Sequence, residues 1–168
     1  MLTLSERDSA GVWQLIRNID LPVSDFSGLQ AVALGGKTPN SMAFVGLNAV
    51  AWMSFQGETW TLTALDGYET PIKDGYLTDV VSGDLNQDKR KDLVFLETAK
   101  GYLDLVTFES PHRLVPASRW QVFEERTFRS RRGDAPEPRE AVVVDVTGDG
   151  KNDLVIIVHD RILVYPQE

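Results

Sequence analysis

Two stretches of this chain carry the residue types that could do chemistry. Asp84-Leu-Asn86-Gln-Asp88-Lys-Arg90-Lys-Asp92 and Asp145-Val-Thr147-Gly-Asp149-Gly-Lys151-Asn-Asp153 start 61 residues apart, and each puts an oxygen-bearing side chain at positions 1, 3, 5 and 9. A tight loop with that spacing turns alternate side chains inward, and a hard divalent cation takes roughly 6–8 oxygens at 2.3–2.6 Å. The spacing therefore implies two calcium (Ca2+) sites. Position 7, Arg90 or Lys151, would contribute its main-chain carbonyl, which leaves the basic side chain free to face solvent. The loops are not equal. Gly150 supplies a position-6 residue that adopts positive φ at little cost, whereas the first loop has Lys89 there, a departure worth on the order of 1 kcal/mol. At position 3 the first loop offers the Asn86 carbonyl and the second only the Thr147 hydroxyl, a weaker ligand. The competing reading is an Asp- and Asn-rich turn that hydrogen-bonds its own backbone. Turn chemistry does not require carboxylates at alternate positions, so cation binding is the favoured expectation, with unequal affinities.

The elements that must position these loops recur along the chain. Trp13, Trp60 and Trp120 open the runs WQLIRNIDL, WTLTALDGYET and WQVFEERTF, with steps of 47 and 60 residues between the tryptophans. Each run leads to an apolar stretch (LQAVALGG, YLTDVVSGDL, REAVVVDVTGD), then to a second (SMAFVGL, DLVFLET, DLVIIVH) and a third (AVAWMSF, GYLDLVTF, DRILVYP). These short runs, rich in β-branched and aromatic residues and bounded by Gly, Asn, Asp and Pro, read as strands. No long window sustains a helical apolar stripe. The expected fold is all-β, a single unit over 1–168, with about three four-stranded repeats at 20–66, 67–127 and 128–168 that match β-propeller blades. A β-sandwich is the alternative. Closed propellers use about 4–8 blades, so the expectation is a partial ring, completed by upstream blades or by a homo-oligomer. The strand at 12–19 is expected to complete a blade. In the first repeat, the stretch from Ala33 to Ser41 lacks carboxylates and is expected to be metal-free.

The loop pattern, followed by Asp-Leu and an apolar strand inside a strand repeat, resembles the FG-GAP/VCBS repeat family known from integrin alpha-subunit propellers and secreted bacterial proteins. The resemblance covers most of the chain. It implies calcium held between the first two strands of a blade by Asp84, Asn86, Asp88 and Asp92, and by Asp145, Thr147, Asp149 and Asp153, with main-chain oxygens from Arg90 and Lys151. It also implies an extracellular or periplasmic protein. The first twenty residues lack the basic start and apolar run of a secretory signal.

Composition narrows the partners. A net charge of −8 argues against nonspecific binding to nucleic acid or an anionic surface, and no stretch has the length of a membrane span. Without cysteine there is no disulfide or thiolate site. No nucleophile elbow, phosphate-cradling loop or zinc-protease motif nominates an enzyme. The expected role is a noncatalytic structural or interaction module with a protein or glycan ligand. The alternative is the propeller portion of a carbohydrate-active lyase or hydrolase whose catalytic residues lie elsewhere. Arg132-Gly133-Asp134 spells an adhesive tripeptide that chance explains better. The basic cluster Arg126, Arg129, Arg131, Arg132 and Arg139 reads as a solvated loop. His112 and His159 fit structural roles, and the three tryptophans fit packing between repeats better than sugar stacking.

Overall fold

The computed structural model describes residues 1–21, 25–32, 41–54, 68–110, 113–124 and 136–167. Among them there are strands and turns and no helix. The strands are β1 (Leu2–Arg7), β2 (Trp13–Ile19), β3 (Phe26–Val32), β4 (Ser41–Gly46), β5 (Ala49–Ser54), β6 (Tyr68–Glu69) and β7 (Leu77–Gly83). They continue with β8 (Asp92–Glu97), β9 (Tyr102–Ser110), β10 (Arg113–Gln121), β11 (Glu140–Val144), β12 (Asp153–Val158) and β13 (Arg161–Tyr165). Consecutive strands pair antiparallel into four open sheets: the hairpin β1-β2, a first sheet β3-β4-β5-β6, a second β7-β8-β9-β10 and a third β11-β12-β13. None closes into a barrel.

The second sheet is covered on both faces, which explains why β8, Asp-Leu-Val-Phe-Leu-Glu, is buried at every position instead of alternating. On one face Leu93, Phe95 and Val106 share a core with Ala43, Val45, Val50 and Trp52 of the first sheet. On the other, Val94, Leu96 and Leu103 pack with Ala141, Leu154 and Ile156 of the third. Large rings fill the first junction: Tyr68 stacks on Phe95 at 4.5 Å, and Trp52 meets Phe108 edge-on at 6.2 Å. Truncating a ring as buried as Phe95 would cost about 3–5 kcal/mol. The strand β7 touches both β3 and β11. That approach depends on Gly83, because a Cβ there would overlap Val143 of β11.

A buried polar knot crosses the first junction. Asp104 accepts hydrogen bonds from the Tyr68 hydroxyl (2.5 Å), from Thr70 (3.0 Å) and from the Arg119 guanidinium, which also reaches the Tyr68 oxygen at 3.2 Å. Burial and the hydrogen bond to Asp104 hold the Tyr68 hydroxyl well above its ordinary pKa. Two buried glutamates tie turns down in the same way. Glu97 accepts from the amides of Tyr76, Ala99 and Lys100, and Glu137 from the amide of His159 and from Arg139.

Most strands fall where the sequence puts them, with informative differences. Trp13 opens β2, but Trp120 is the last residue but one of β10, so the tryptophans are not equivalent landmarks. Trp120 does pack between sheets, against Tyr165 at 5.6 Å. Trp13, expected to pack, is 68% exposed instead, because its hairpin presents an apolar face that no described strand covers. Trp60 lies outside the described residues. The strand at 12–19 completes none of the three larger sheets; it pairs with β1, whose Leu-Thr-Leu alternation is that of a strand. The first sheet reaches Tyr68–Glu69, past the boundary at residue 66. His159 lies in the turn between β12 and β13, where its backbone amide donates to Glu137 at 2.7 Å. His112, the tripeptide at 132–134, Arg126, Arg129, Arg131 and residues 33–40 lie outside the described residues.

Candidate metal loops

The two acidic loops occupy the same place in successive sheets. The first joins β7 to β8 and the second joins β11 to β12, with Asp92 and Asp153 as the first residues of the departing strands. Both ends of each loop are therefore held by the ladder. Position 1 folds each loop: Asp84 Oδ2 accepts from the Lys89 amide at 3.0 Å, and Asp145 Oδ2 from the Gly150 amide at 2.8 Å. Position 5 makes a local turn, Asp88 with the Arg90 amide (2.7 Å) and Asp149 with the Lys151 amide (2.9 Å). Position 9 reaches back to position 2, Asp92 to the Leu85 amide and Asp153 to the Val146 amide, both at 3.0 Å. The register of the two loops is thus the same atom for atom at three positions.

Beyond that shared frame the loops diverge. Positions 4 and 6 both require positive φ. The second loop has Gly148 (φ 78°) and Gly150 (φ 86°), whereas the first has Gln87 (φ 64°) and Lys89 (φ 65°). Sequence reasoning found the position-6 mismatch and missed position 4, although Gly148 opposite Gln87 was there to be read. Asp92 and Asp153 are both buried, yet their carboxyls differ. Burial pushes Asp92 up to about 6; the Leu85 N–H pulls against it, and the charges of Asp88 and Asp84 add to the rise. Burial also acts on Asp153, but the N–H groups of Gln167, Val146 and Thr147 outweigh it and hold the carboxyl below the usual range.

The second loop also reaches the first. The Asn152 side-chain amide donates to the Asp84 carbonyl at 3.2 Å, and the Gln167 side chain does so at 3.4 Å while its own N–H binds Asp153 at 3.1 Å. Neither residue was marked as important by sequence; each is an ordinary polar side chain whose role comes from a partner far along the chain.

Of the expected ligands, Asp84, Asn86, Asp88, Arg90 and Asp92 stand on one loop, and Asp145, Thr147, Asp149, Lys151 and Asp153 on the other. Among the described residues no three carboxylate or imidazole groups converge as a ready metal cage. Each carboxylate instead has at least one oxygen on a backbone N–H. The donor chemistry nonetheless fits a hard cation. Every side-chain donor is an oxygen, and Asp84 Oδ1 is shielded from water without a hydrogen-bond partner. Such an atom carries a desolvation cost of about 1–3 kcal/mol, more when charged, which a cation would relieve. Compared with known proteins, the chain matches no family model and no curated protein.

Proposed function

We propose that the three larger sheets are blades of a calcium-braced β-propeller of FG-GAP/VCBS type, and that the chain is a noncatalytic structural or interaction module of an exported protein. The observation that carries this reading is the pair of acidic loops, matched in sequence and in hydrogen-bond register, each joining the first two strands of its sheet. The order of packing supports it too, since successive antiparallel sheets stack face to face with their first strands in contact. Calcium in each loop would draw on the carboxylates at positions 1, 5 and 9, on the oxygen at position 3 and on the carbonyl at position 7. It would neutralise charges that the fold otherwise crowds, as at Asp92. Extracellular modules bind calcium at about 10⁻⁴–10⁻³ M, which suits a protein outside the cell that displays a protein or glycan ligand on its loops.

Thermal melts with calcium and with chelator, paired with elemental analysis, test the reading. Calcium at a hundredfold excess over its dissociation constant would add about 2.7 kcal/mol per site. A melting temperature indifferent to calcium and chelator, with no calcium in the purified protein, would refute it.

A further inference from the structure

Among the described residues, two buried side-chain oxygens have no hydrogen-bond partner, Asp84 Oδ1 and Gln167 Oε1. They belong to residues already in contact. Gln167 follows β13; its backbone N–H donates to Asp153 at 3.1 Å, and its side-chain Nε2 donates to the Asp84 carbonyl at 3.4 Å. The Asn152 side chain donates to that same carbonyl at 3.2 Å. Turning the Gln167 amide over would set its oxygen against the Asp84 carbonyl, acceptor against acceptor, so this hydrogen bond fixes which end of the amide is which. Oε1 is then shut off from water with nothing donating to it.

Asp84 has a matching need. Its other oxygen, Oδ2, closes the first loop through the Lys89 amide at 3.0 Å, and the carboxylate makes no ion pair with another described residue. At the end of the loop, Asp92 feels the like charges of Asp84 and Asp88. A water molecule donating to both orphaned oxygens would satisfy them as acceptors and leave the carboxylate charge unmet, whereas a hard cation answers both needs at once. The second loop differs. Both oxygens of Asp145 already accept from the backbone, Oδ1 from Gly148 at 2.7 Å and Oδ2 from Gly150 at 2.8 Å.

We propose that Gln167 Oε1 is a ligand of the cation held at Asp84, supplied to the first loop from outside it. This rests on the calcium reading above and adds what the loop spacing does not contain: a side-chain oxygen from the third sheet's end of the chain, 83 residues beyond Asp84. Amide oxygens are ordinary ligands of hard divalent cations. With Gln167 among its ligands, the cation of the first loop also fastens the segment after β13 to the second sheet.

Calcium titrations of the whole chain followed by NMR test it, with the Lys89 amide reporting the first loop and the Gly150 amide the second. In wild type the side-chain carbonyl carbon of Gln167 is expected to shift in step with Lys89. Gln167→Ala is expected to raise the calcium concentration at the Lys89 midpoint by about tenfold or more, the loss typical even of residues that only support a metal ligand, and to move the Gly150 midpoint less. Gln167→Glu lacks the Nε2 donor but keeps an oxygen, so it should hold the Lys89 midpoint at or below that of wild type. An unchanged Lys89 midpoint in Gln167→Ala, or an equal shift at Gly150, overturns the proposal. So does failure of Gln167→Glu to restore binding, which would make Gln167 a support of the Asp84 carbonyl, and so does a Gln167 carbon that stays put while Lys89 shifts, which would leave Oε1 to water. Each of these results leaves the calcium reading of the loops standing. A wild type in which neither amide responds to calcium overturns both together.

Discussion

The loops at Asp84 and Asp145 share a frame and differ in what it costs to hold. Both use position 1 to fold the loop, position 5 to turn it and position 9 to tie it to the next strand. In the second, glycine takes both positive-φ positions and three backbone N–H groups stabilise the buried Asp153. In the first, Gln87 and Lys89 take the same backbone angles, and a single backbone N–H serves the buried Asp92 against two neighbouring charges. One loop is satisfied by the protein alone, and the other holds negative charge that the protein compensates poorly. Two copies of one motif can thus have the same oxygen spacing and a different balance of charge.

The sharpest way to break the comparison is to remove the position-9 carboxylates in chelator. Asp153→Ala removes the acceptor of the Val146, Thr147 and Gln167 N–H groups, and at about 0.5–1.5 kcal/mol per hydrogen bond it is expected to cost about 3 kcal/mol. Asp92→Ala leaves the Leu85 N–H and the more distant Asn86 side-chain amide without their acceptor and also removes repulsion, so about 1 kcal/mol is expected. Urea denaturation of both variants measures the difference, and a larger loss at Asp92 would break the contrast.

Acid titration of stability, again in chelator, is expected to show opposite signs. The folded Asp92 carboxyl titrates near 6 against an ordinary value of 3.8, so between those values the folded state holds the extra proton. Its contribution is favourable in acid and is lost as pH rises through about 6. Asp153 is depressed, so its contribution is present above the ordinary carboxylate range and is lost as pH falls through its folded value. Asp92→Asn should remove the first trend and Asp153→Asn the second. Calcium should erase the first by keeping Asp92 ionised. Two variants with the same pH profile would contradict this assignment.

Exchanging the turn residues is expected to act more gently. Lys89→Gly should stabilise by about 1 kcal/mol and Gly150→Ala should destabilise by about as much. A Cβ on Gly150 meets nothing within 4 Å, so backbone conformation alone is at stake there. Equal and opposite shifts in the urea midpoint would tie the difference to φ. The smallest effect belongs to the bridge between loops: Asn152→Ala removes one hydrogen bond to the Asp84 carbonyl and should cost about 0.5–1.5 kcal/mol. Amide exchange at Leu85 and Lys89 would report it, and unchanged exchange would leave the loops uncoupled.

Much of this was legible without coordinates because it is local. Runs such as Asp-Leu-Val-Phe-Leu-Glu and Asp-Leu-Val-Ile-Ile-Val form β8 and β12 as their composition and bounding turns predict. The acidic loops lie between strands as their spacing requires. The repeat marked by tryptophan was misleading, because a large apolar side chain can seat at either end of a strand, as Trp13 and Trp120 do. Asp104 inside Leu-Asp-Leu was a visible anomaly, a carboxylate in an otherwise apolar strand, but its partners Tyr68 and Arg119 come from a neighbouring sheet and an adjacent strand.

The sequence by itself determined the positions of most strands and the oxygen-bearing side chains of both loops, since periodicity, turn residues and oxygen spacing act over a few residues. Tertiary structure alone decided how those loops differ in charge. Burial of Asp92 and Asp153 depends on the sheets packed around them, and the Asp84 carbonyl meets Asn152 and Gln167 from 68 and 83 residues away. Such contacts exist only once the sheets have stacked, because desolvation and long-range hydrogen bonding are properties of the assembled core and not of any short stretch of chain.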